Sequence, residues 1–385
     1  MDNSHQKARN KRPLIIAVDT KNLSLYTGGI AAFFGPLLNA WIAFCPQYQF
    51  ILIGPAFPPG TLKPFPNCRQ HLISWPEFLP RYFRHPFYDN LLFPLAIKSV
   101  MPDLIFTPYH DVRLPKGIPS VMMVHDTCLH DLPDIYPAHI RNYYLHMLKR
   151  NIQVASQILT VSETSKSCLQ ATYKLSDEAV GVVPNAIDMR MTKSPIAPAE
   201  AKRLRSERGE GLHIFYSGGS EHRKNIRRLS LAVEELAALG QQPQIRITGQ
   251  LDDAWSACLK DLSPNITSCF HFLGRLSLDM LAAQYLSCDV VVYPTLCEGF
   301  GRVALEAMEL GVPIACSDLG VLREVAGDYP AYFDPWNPKA IADAIRVAKH
   351  MTITSRHYDY YQPETVAKNF LVQMDAFIDR NFPCT

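Results

Sequence analysis

Two glutamates eight positions apart, Glu298 and Glu306, enclose the run Gly299-Phe300-Gly301-Arg302-Val303. An apolar stretch, Asp289 to Tyr293, precedes them, and the residues that follow have helical spacing. A parallel strand that ends in a glycine turn and opens a helix is where α/β proteins bind ligands. Glycine lets a ligand approach the backbone, and the first N–H groups of the helix attract an anion. Carboxylates on either side accept hydrogen bonds from hydroxyls. Phosphate and polyol recognised together point to a nucleotide sugar. A glutamate on an ordinary helix is usually solvated. Glu306, however, lies among Val303, Leu305, Ala307, Met308 and Leu310, so it is expected half-buried with a partner.

Three further clusters carry chemistry. Phe215-Tyr-Ser-Gly218-Gly219-Ser-Glu-His-Arg223-Lys224-Asn225 runs from a strand through a glycine turn to a basic pair before a helix. Cations beside a helix start form a pyrophosphate clamp, although surface charge alone would look the same. Val121-Met-Met-Val-His125-Asp126 ends a strand in a His-Asp pair. With His130 and Asp131 nearby, a metal cluster or phosphohydrolase is conceivable, but no His pair stands at i, i+4. Tyr26-Thr-Gly28-Gly29-Ile30 follows the first strand, and paired glycines there suit close passage over a diphosphate.

These clusters need a scaffold. A chain of 385 residues exceeds one ordinary core, so two domains are expected. With 48% hydrophobic and 19% charged residues the composition is that of a globular protein. A net charge of +2 gives no electrostatic case for nucleic acid. Short runs apolar on both faces read as buried parallel strands. One series comprises Leu14–Val18, Gln49–Ile53, Asp103–Thr107, Ser120–Val124 and Gln157–Val161. The other comprises Leu212–Tyr216, Gln244–Thr248, Thr267–Phe272, Val290–Tyr293, Pro313–Ala315 and Ala331–Phe333. Arg190–Glu210 between them reads as a linker and the first helix of the second domain. The expected domains are 1–190 and 191–364, doubly wound and facing a cleft. A helix over 365–385, with Val366, Phe370, Leu371, Met374, Phe377 and Ile378 at helical spacing, is expected to pack back on the first domain.

The ten cysteines are scattered singly, which suits free thiols used as small apolar residues in a reducing cytoplasm. No apolar run is long enough to span a bilayer, and Leu14–Val18 is too short for a signal peptide. Pro80-Arg-Tyr-Phe-Arg-His-Pro-Phe-Tyr88 interleaves aromatic and basic residues. Such a stretch either docks on an anionic membrane or packs as a loop over the core.

The order of these motifs, from about Ala17 to about Pro335, resembles the family-4 glycosyltransferases, which are retaining enzymes of the GT-B fold. Glu298 to Glu306 resembles the family's E-x7-E signature, and Ala307, Gly311 and Pro313 match its continuation. The resemblance implies that Glu298 contacts the donor sugar and that Glu306 holds the ribose hydroxyls. It also implies that the amides of Phe300 and Gly301 meet sugar hydroxyls, and those of Arg302 and Val303 the phosphates. Arg223-Lys224-Asn225 resembles the family's "RKN" element, so Lys224, with Arg223, would bind the donor diphosphate. Many relatives carry an arginine where this chain has Gly218 and Gly219, which implies less positive charge there. His125 would orient a sugar hydroxyl or steady the transition state, and Gly28-Gly29 would lie over the phosphates. Gly274-Arg275-Leu276-Ser277 resembles the loop whose backbone reads the base. Val161-Ser-Glu-Thr-Ser and Val183-Pro-Asn-Ala-Ile-Asp188 match further family elements.

The resemblance implies transfer of a hexose from a nucleotide sugar with retention, the leaving phosphate helping to deprotonate the acceptor. GDP-mannose is the donor expected from the "VHD" and "RKN" forms. The acceptor would be a glycan or a polyprenyl-diphosphate-linked glycan in polysaccharide synthesis. No Asp-x-Asp stands at a strand end, so no metal or other cofactor is expected. The expected location is the cytoplasm, with peripheral contact on the inner face of the membrane. The alternatives are a nucleotide-sugar epimerase or phosphorylase on the same scaffold, or a non-catalytic sugar-nucleotide-binding subunit. A pyridoxal-phosphate phosphorylase would need a Schiff-base lysine in the second domain, and none is identified.

Overall fold

Parallel sheets form because the short apolar runs are hydrophobic on both faces and must be covered by helices on both. The structure, a computed structural model, describes residues 12–25, 29–58, 60–134 and 136–383. Strands β1 (Ile15–Asp19), β2 (Gln49–Gly54), β3 (Cys68–Leu72), β4 (Leu104–Thr107), β5 (Ser120–Met123), β6 (Gln157–Thr160) and β7 (Val180–Val182) make one sheet in the order β3-β2-β1-β4-β5-β6-β7. Pairing is parallel from β3 through β6. A second parallel sheet holds β8 (Leu212–Tyr216), β9 (Pro243–Ile247), β10 (Phe270–Phe272), β11 (Val290–Tyr293), β12 (Ile314–Ser317) and β13 (Ala331–Phe333), in the order β10-β9-β8-β11-β12-β13. Both orders are doubly wound, reversing direction beside the first strand of each sheet.

The eleven expected strands are present with boundaries shifted by up to three residues. The sequence reading omitted β3 and β7. Strand β3, Cys68-Arg-Gln-His-Leu72, lies at an edge and is partly or fully exposed along its length, so it lacks an apolar run. Strand β7 has only three residues.

Contacts divide the chain into two compact units. One holds the chain up to Val124, His146–Leu159 and the residues from Ala367 onward; the other holds His125–Leu145 and Thr160–Val366. The division therefore does not fall at a single point near residue 190. Bonds from the His125–Cys128 turn and from Ser162 and Ser165 to the Glu298 loop draw those segments into the second unit. The C-terminal helix spans Pro363–Asn381. Within the first unit, Phe370 packs edge-on to Trp41 (5.2 Å) and Phe106 (5.5 Å), and Met374, Phe377 and Ile378 are buried.

At the carboxyl end of β1 the first unit buries an ion cluster. The Lys21 ammonium donates to Asp89 Oδ1 and Asp111 Oδ2, both at 2.5 Å, and the Lys21 amide donates to Asp19 Oδ1 at 3.0 Å. Lys21 is completely buried. Burial pushes the Asp19 carboxyl up to about 7 and raises Asp89 as well. Burial would also raise Asp111, but the Lys21 ammonium outweighs it and holds Asp111 below the usual range. One cation therefore serves three carboxyl groups, two of which burial shifts upward.

The aromatic–basic stretch is helical rather than a loop, and Tyr88 at its end is buried, with Trp75 against His85 and Tyr88. It forms a helix, Arg81–Phe87, in which no residue is buried, and Tyr82 and Phe83 are 77% and 63% exposed. Among the described residues no helix is long and apolar enough to cross a membrane.

Removing one partner of a buried ion cluster leaves uncompensated charge. Lys21→Met should therefore destabilise the chain by about 3–5 kcal/mol, read as a lower urea midpoint at unchanged slope.

Candidate functional site

The loop after β11 is shaped by its neighbours in the second unit. A Cβ on Gly299 would lie 1.7 Å from the His125 carbonyl oxygen, so only glycine allows the two turns to touch. Gly301 has φ +104°, and a Cβ there would meet Leu322 Cδ2 at 2.3 Å. This left-handed residue caps the helix Arg302–Leu310, whose first amides have no partner within the helix itself. The Gly299 carbonyl accepts hydrogen bonds from the Ser162 (2.8 Å) and Ser165 (3.0 Å) hydroxyls. Val161-Ser-Glu-Thr-Ser thus places two hydroxyls one helical turn apart, on one acceptor. Phe300 is buried, with its ring edge-on to Tyr361 at 5.4 Å.

Glu298 is the hub of the site. Its Oε1 accepts from Lys224 Nζ (2.6 Å), Arg223 Nη1 (2.8 Å) and the Thr295 hydroxyl (2.8 Å). Lys224 Nζ also lies 5.3 Å from the centre of the Tyr293 ring. Burial would raise the Glu298 carboxyl, but Lys224 and Arg223 outweigh it and hold its pKa at about 2. Burial would lower the Arg223 guanidinium, but Glu298 and then Asp126 hold it above its ordinary range. The structure thus brings together Arg223, Lys224 and Glu298 on one oxygen atom, and Asp126 acts on the same guanidinium. Two cations thus share the single oxygen Glu298 Oε1, with Asp126 near one of them.

Glu306 is 7% exposed, as its apolar neighbours required, and has the partners that such burial demands. Tyr285 donates its hydroxyl to Glu306 Oε2 at 2.7 Å, and Arg302 Nη2 lies 3.3 Å from Oε1. Asn225 is turned away from solvent, at φ +60°. Its amide donates to the Pro294 (2.9 Å) and Pro335 (2.7 Å) carbonyls and its oxygen accepts from Arg228 (3.0 Å). Its side chain therefore serves the backbone, pinning the turn that carries Lys224 to the ends of β11 and β13. Gly218 and Gly219 leave room for the Tyr216 ring and the Glu221 carboxylate; a Cβ would come within 2.4 and 2.1 Å of their oxygens. Arg275 is exposed and Leu276 half-buried, just after the bridge that pairs Gly249 with Gly274. His125 is half-buried at the end of β5. Gly28 lies outside the described residues, and Gly29 opens the helix Gly29–Phe44.

One expectation is corrected. The cysteines are not all free thiols, because Cys128 is disulfide-bonded to Cys297, 169 positions away. Cys45, Cys269, Cys288 and Cys316 are buried free thiols, in keeping with use as small apolar residues. Sequence spacing could not pair cysteines this far apart. The available signal was position: Cys128 stands two residues after Asp126, and Cys297 immediately before Glu298. Thr295, Tyr285, Ser162 and Ser165 were also missed as parts of the site.

Two doubly wound parallel sheets in one chain, with an E-x7-E loop at the carboxyl edge of the second, define an α/β protein of the GT-B fold. Residues 200–365 match the sequence model described as Glycosyl transferases group 1, and residues 28–190 match Glycosyltransferase Family 4. The O-antigen chain mannosyltransferase RfbU of Salmonella typhimurium is 25% identical over 69% of this chain and 70% of its own. O-antigen chain mannosyltransferase B of Escherichia coli is 29% identical over 58% and 59%. Among solved structures, sucrose-phosphate synthase from Thermosynechococcus elongatus superposes with a TM-score of 0.70 at 18% identity, covering 96% of both chains. The chain belongs to the family-4, group 1 glycosyltransferases.

The folded Glu298 carboxyl sits at about 2 against an ordinary 4.5, so the stability that it contributes is present above about pH 4.5 and is lost as the pH falls toward 2. Glu298→Gln should cost about 3 kcal/mol at pH 7, and the difference from the parent should shrink when unfolding is repeated at pH 3.

Proposed function

We propose that this protein transfers a hexose, with mannose from GDP-mannose as the donor we favour, to a glycan or a polyprenyl-diphosphate-linked glycan with retention of configuration. The observation that supports this reading most directly is the convergence of Arg223, Lys224 and Thr295 on Glu298 Oε1, beside the capped start of the helix Arg302–Leu310. An arriving diphosphate would draw on the two cations and the amides of Arg302 and Val303. Glu298, released in part, would accept hydrogen bonds from the sugar hydroxyls. Glu306, oriented by Tyr285, would take the ribose hydroxyls, with the base near Arg275 and Leu276. His125 would orient the sugar at the reacting carbon, and Gly28 and Gly29 would pass over the phosphates.

Catalysis would then consist mainly of stabilising negative charge on the leaving diphosphate while holding the sugar still. Fixed cations at that position make a divalent metal unnecessary in this reading. The mannosyl donor is supported by the two O-antigen mannosyltransferases among the relatives. We place the enzyme in the cytoplasm at the inner face of the membrane. The exposed Tyr82 and Phe83, flanked by Arg81 and Arg84, offer aromatic anchors and positive charge to anionic lipid.

Thermal shift against UDP, GDP and ADP sugars should give the largest stabilisation with GDP-mannose, since ligand binding raises apparent stability by mass action. With that donor and a lipid-linked glycan, Glu306→Ala should raise the donor KM about tenfold or more. Unchanged donor affinity and turnover would defeat the assignment of Glu306. Free epimerised sugar nucleotide without transfer would overturn the transferase reading in favour of an epimerase. The Phe83→Ser/Phe87→Ser variant should sediment less with anionic vesicles than the parent; equal binding would exclude this helix as the membrane contact.

A further inference from the structure

We propose that the Cys128–Cys297 disulfide is a reducible clamp that positions the His125–Asp126 turn against the Glu298–Gly299 loop, so that donor-sugar placement responds to thiol reductants. The bond joins the two turns that carry the site's carboxylates and its histidine. Cys128 follows Asp126 by two residues, and Cys297 adjoins Glu298. Both cysteines lie in the second compact unit, as do both turns.

The two sides of the clamp are not held equally. On the Cys297 side, Glu298 accepts three hydrogen bonds and the Gly299 carbonyl accepts two. That loop would keep its place without the disulfide. On the Cys128 side, several of the hydrogen bonds stay within the turn itself. The Cys128 amide donates to Asp126 Oδ1 (3.0 Å), Thr127 donates its hydroxyl to Asp131 Oδ2 (2.5 Å), and the His130 amide donates to the Thr127 carbonyl (2.8 Å). Those bonds preserve the shape of the turn but do not fix its distance from Glu298. The covalent link fixes that distance, beside the attraction of Asp126 to the Arg223 guanidinium that is itself bonded to Glu298. The close approach of Gly299 to the His125 carbonyl limits how near the turns can come and adds only weak dispersion attraction against their separation.

Cys128 is buried and Cys297 is half-buried, so Cys297 Sγ is the more accessible sulfur. A dithiol reductant would attack there through its thiolate, releasing the Cys128 thiolate, which takes up a proton. The second thiol of the reductant then displaces Cys297 from the mixed disulfide. The balance is two thiols on the protein and one disulfide in the oxidised reductant. With the clamp open, Glu298 keeps its partners, whereas the His125–Asp126 turn keeps only non-covalent ties, the attraction of Asp126 to Arg223 among them. A displacement of the sugar-orienting group relative to the leaving phosphate weakens the transition state more than it weakens nucleotide binding.

The inference rests on the proposed donor site for its kinetic part, so one readout is independent of any donor. The full chain would be alkylated without reduction, digested and mapped, and hydrogen exchange compared with and without dithiothreitol. A cross-linked Cys128–Cys297 peptide is expected. Reduction should speed exchange across residues 125–131 and leave 298–301 unchanged. Cys128→Ser, Cys297→Ser and the double variant should all match the reduced parent and ignore dithiothreitol. With a working donor, reduction should lower kcat about tenfold while changing KM less, and the serine variants should start from the lower value. Alkylation of both cysteines in the unreduced protein would overturn the proposal, as would identical exchange before and after reduction. If no donor is turned over, the exchange arm still decides for or against the clamp.

Discussion

The site in the second unit depends on the sharing of one carboxylate oxygen among three donors. Glu298 could not stay ionised at its depth without Arg223 and Lys224, and those cations would repel each other without Glu298. Thr295 completes the arrangement from the end of β11, and Asn225 fixes the turn that delivers both cations. The cations come from the turn after β8 and Thr295 and Glu298 from the loop after β11, so the sheet's own order brings the charges together. β8 and β11 are neighbours, and the loops after neighbouring parallel strands emerge side by side. The glycines then decide how closely other segments approach, with Gly299 against His125 and Gly301 at the start of the helix.

The first unit solves a related problem in the opposite way. There one lysine lies buried among Asp19, Asp89 and Asp111, and burial raises the carboxyls of Asp19 and Asp89. In the second unit two cations converge on one carboxylate oxygen, and that carboxylate stays strongly acidic. One cluster is closed to solvent and the other is partly open. The difference in access distinguishes an internal support from a group that solvent can reach.

Much of this was legible in the sequence because buried parallel strands announce themselves as short apolar runs and because glycine turns mark their ends. Strand β3 escaped because an edge strand needs no apolar face. Glu306 could be recognised as a buried acid in need of a partner, since its apolar neighbours left it no route to water. Its partner, Tyr285, could not be named, because the contact depends on how two helices meet. The Ser162 and Ser165 hydroxyls were visible only as a motif, and their shared target, a glycine carbonyl, carries no side chain to signal it. The pairing of Cys128 with Cys297 was invisible for the same reason: the fold, rather than local spacing, brings distant turns into contact.

The strands at the margins of both sheets have a consequence for life at high concentration. Three of the four marginal strands, β7, β10 and β13, are only three residues long, and the fourth, β3, carries Arg69 and His71. A neighbouring chain seeking to extend either sheet would find a template too short to hold it, or one already charged. Two wide hydrophobic sheets can therefore coexist in one polypeptide without inviting strand-by-strand growth into fibres.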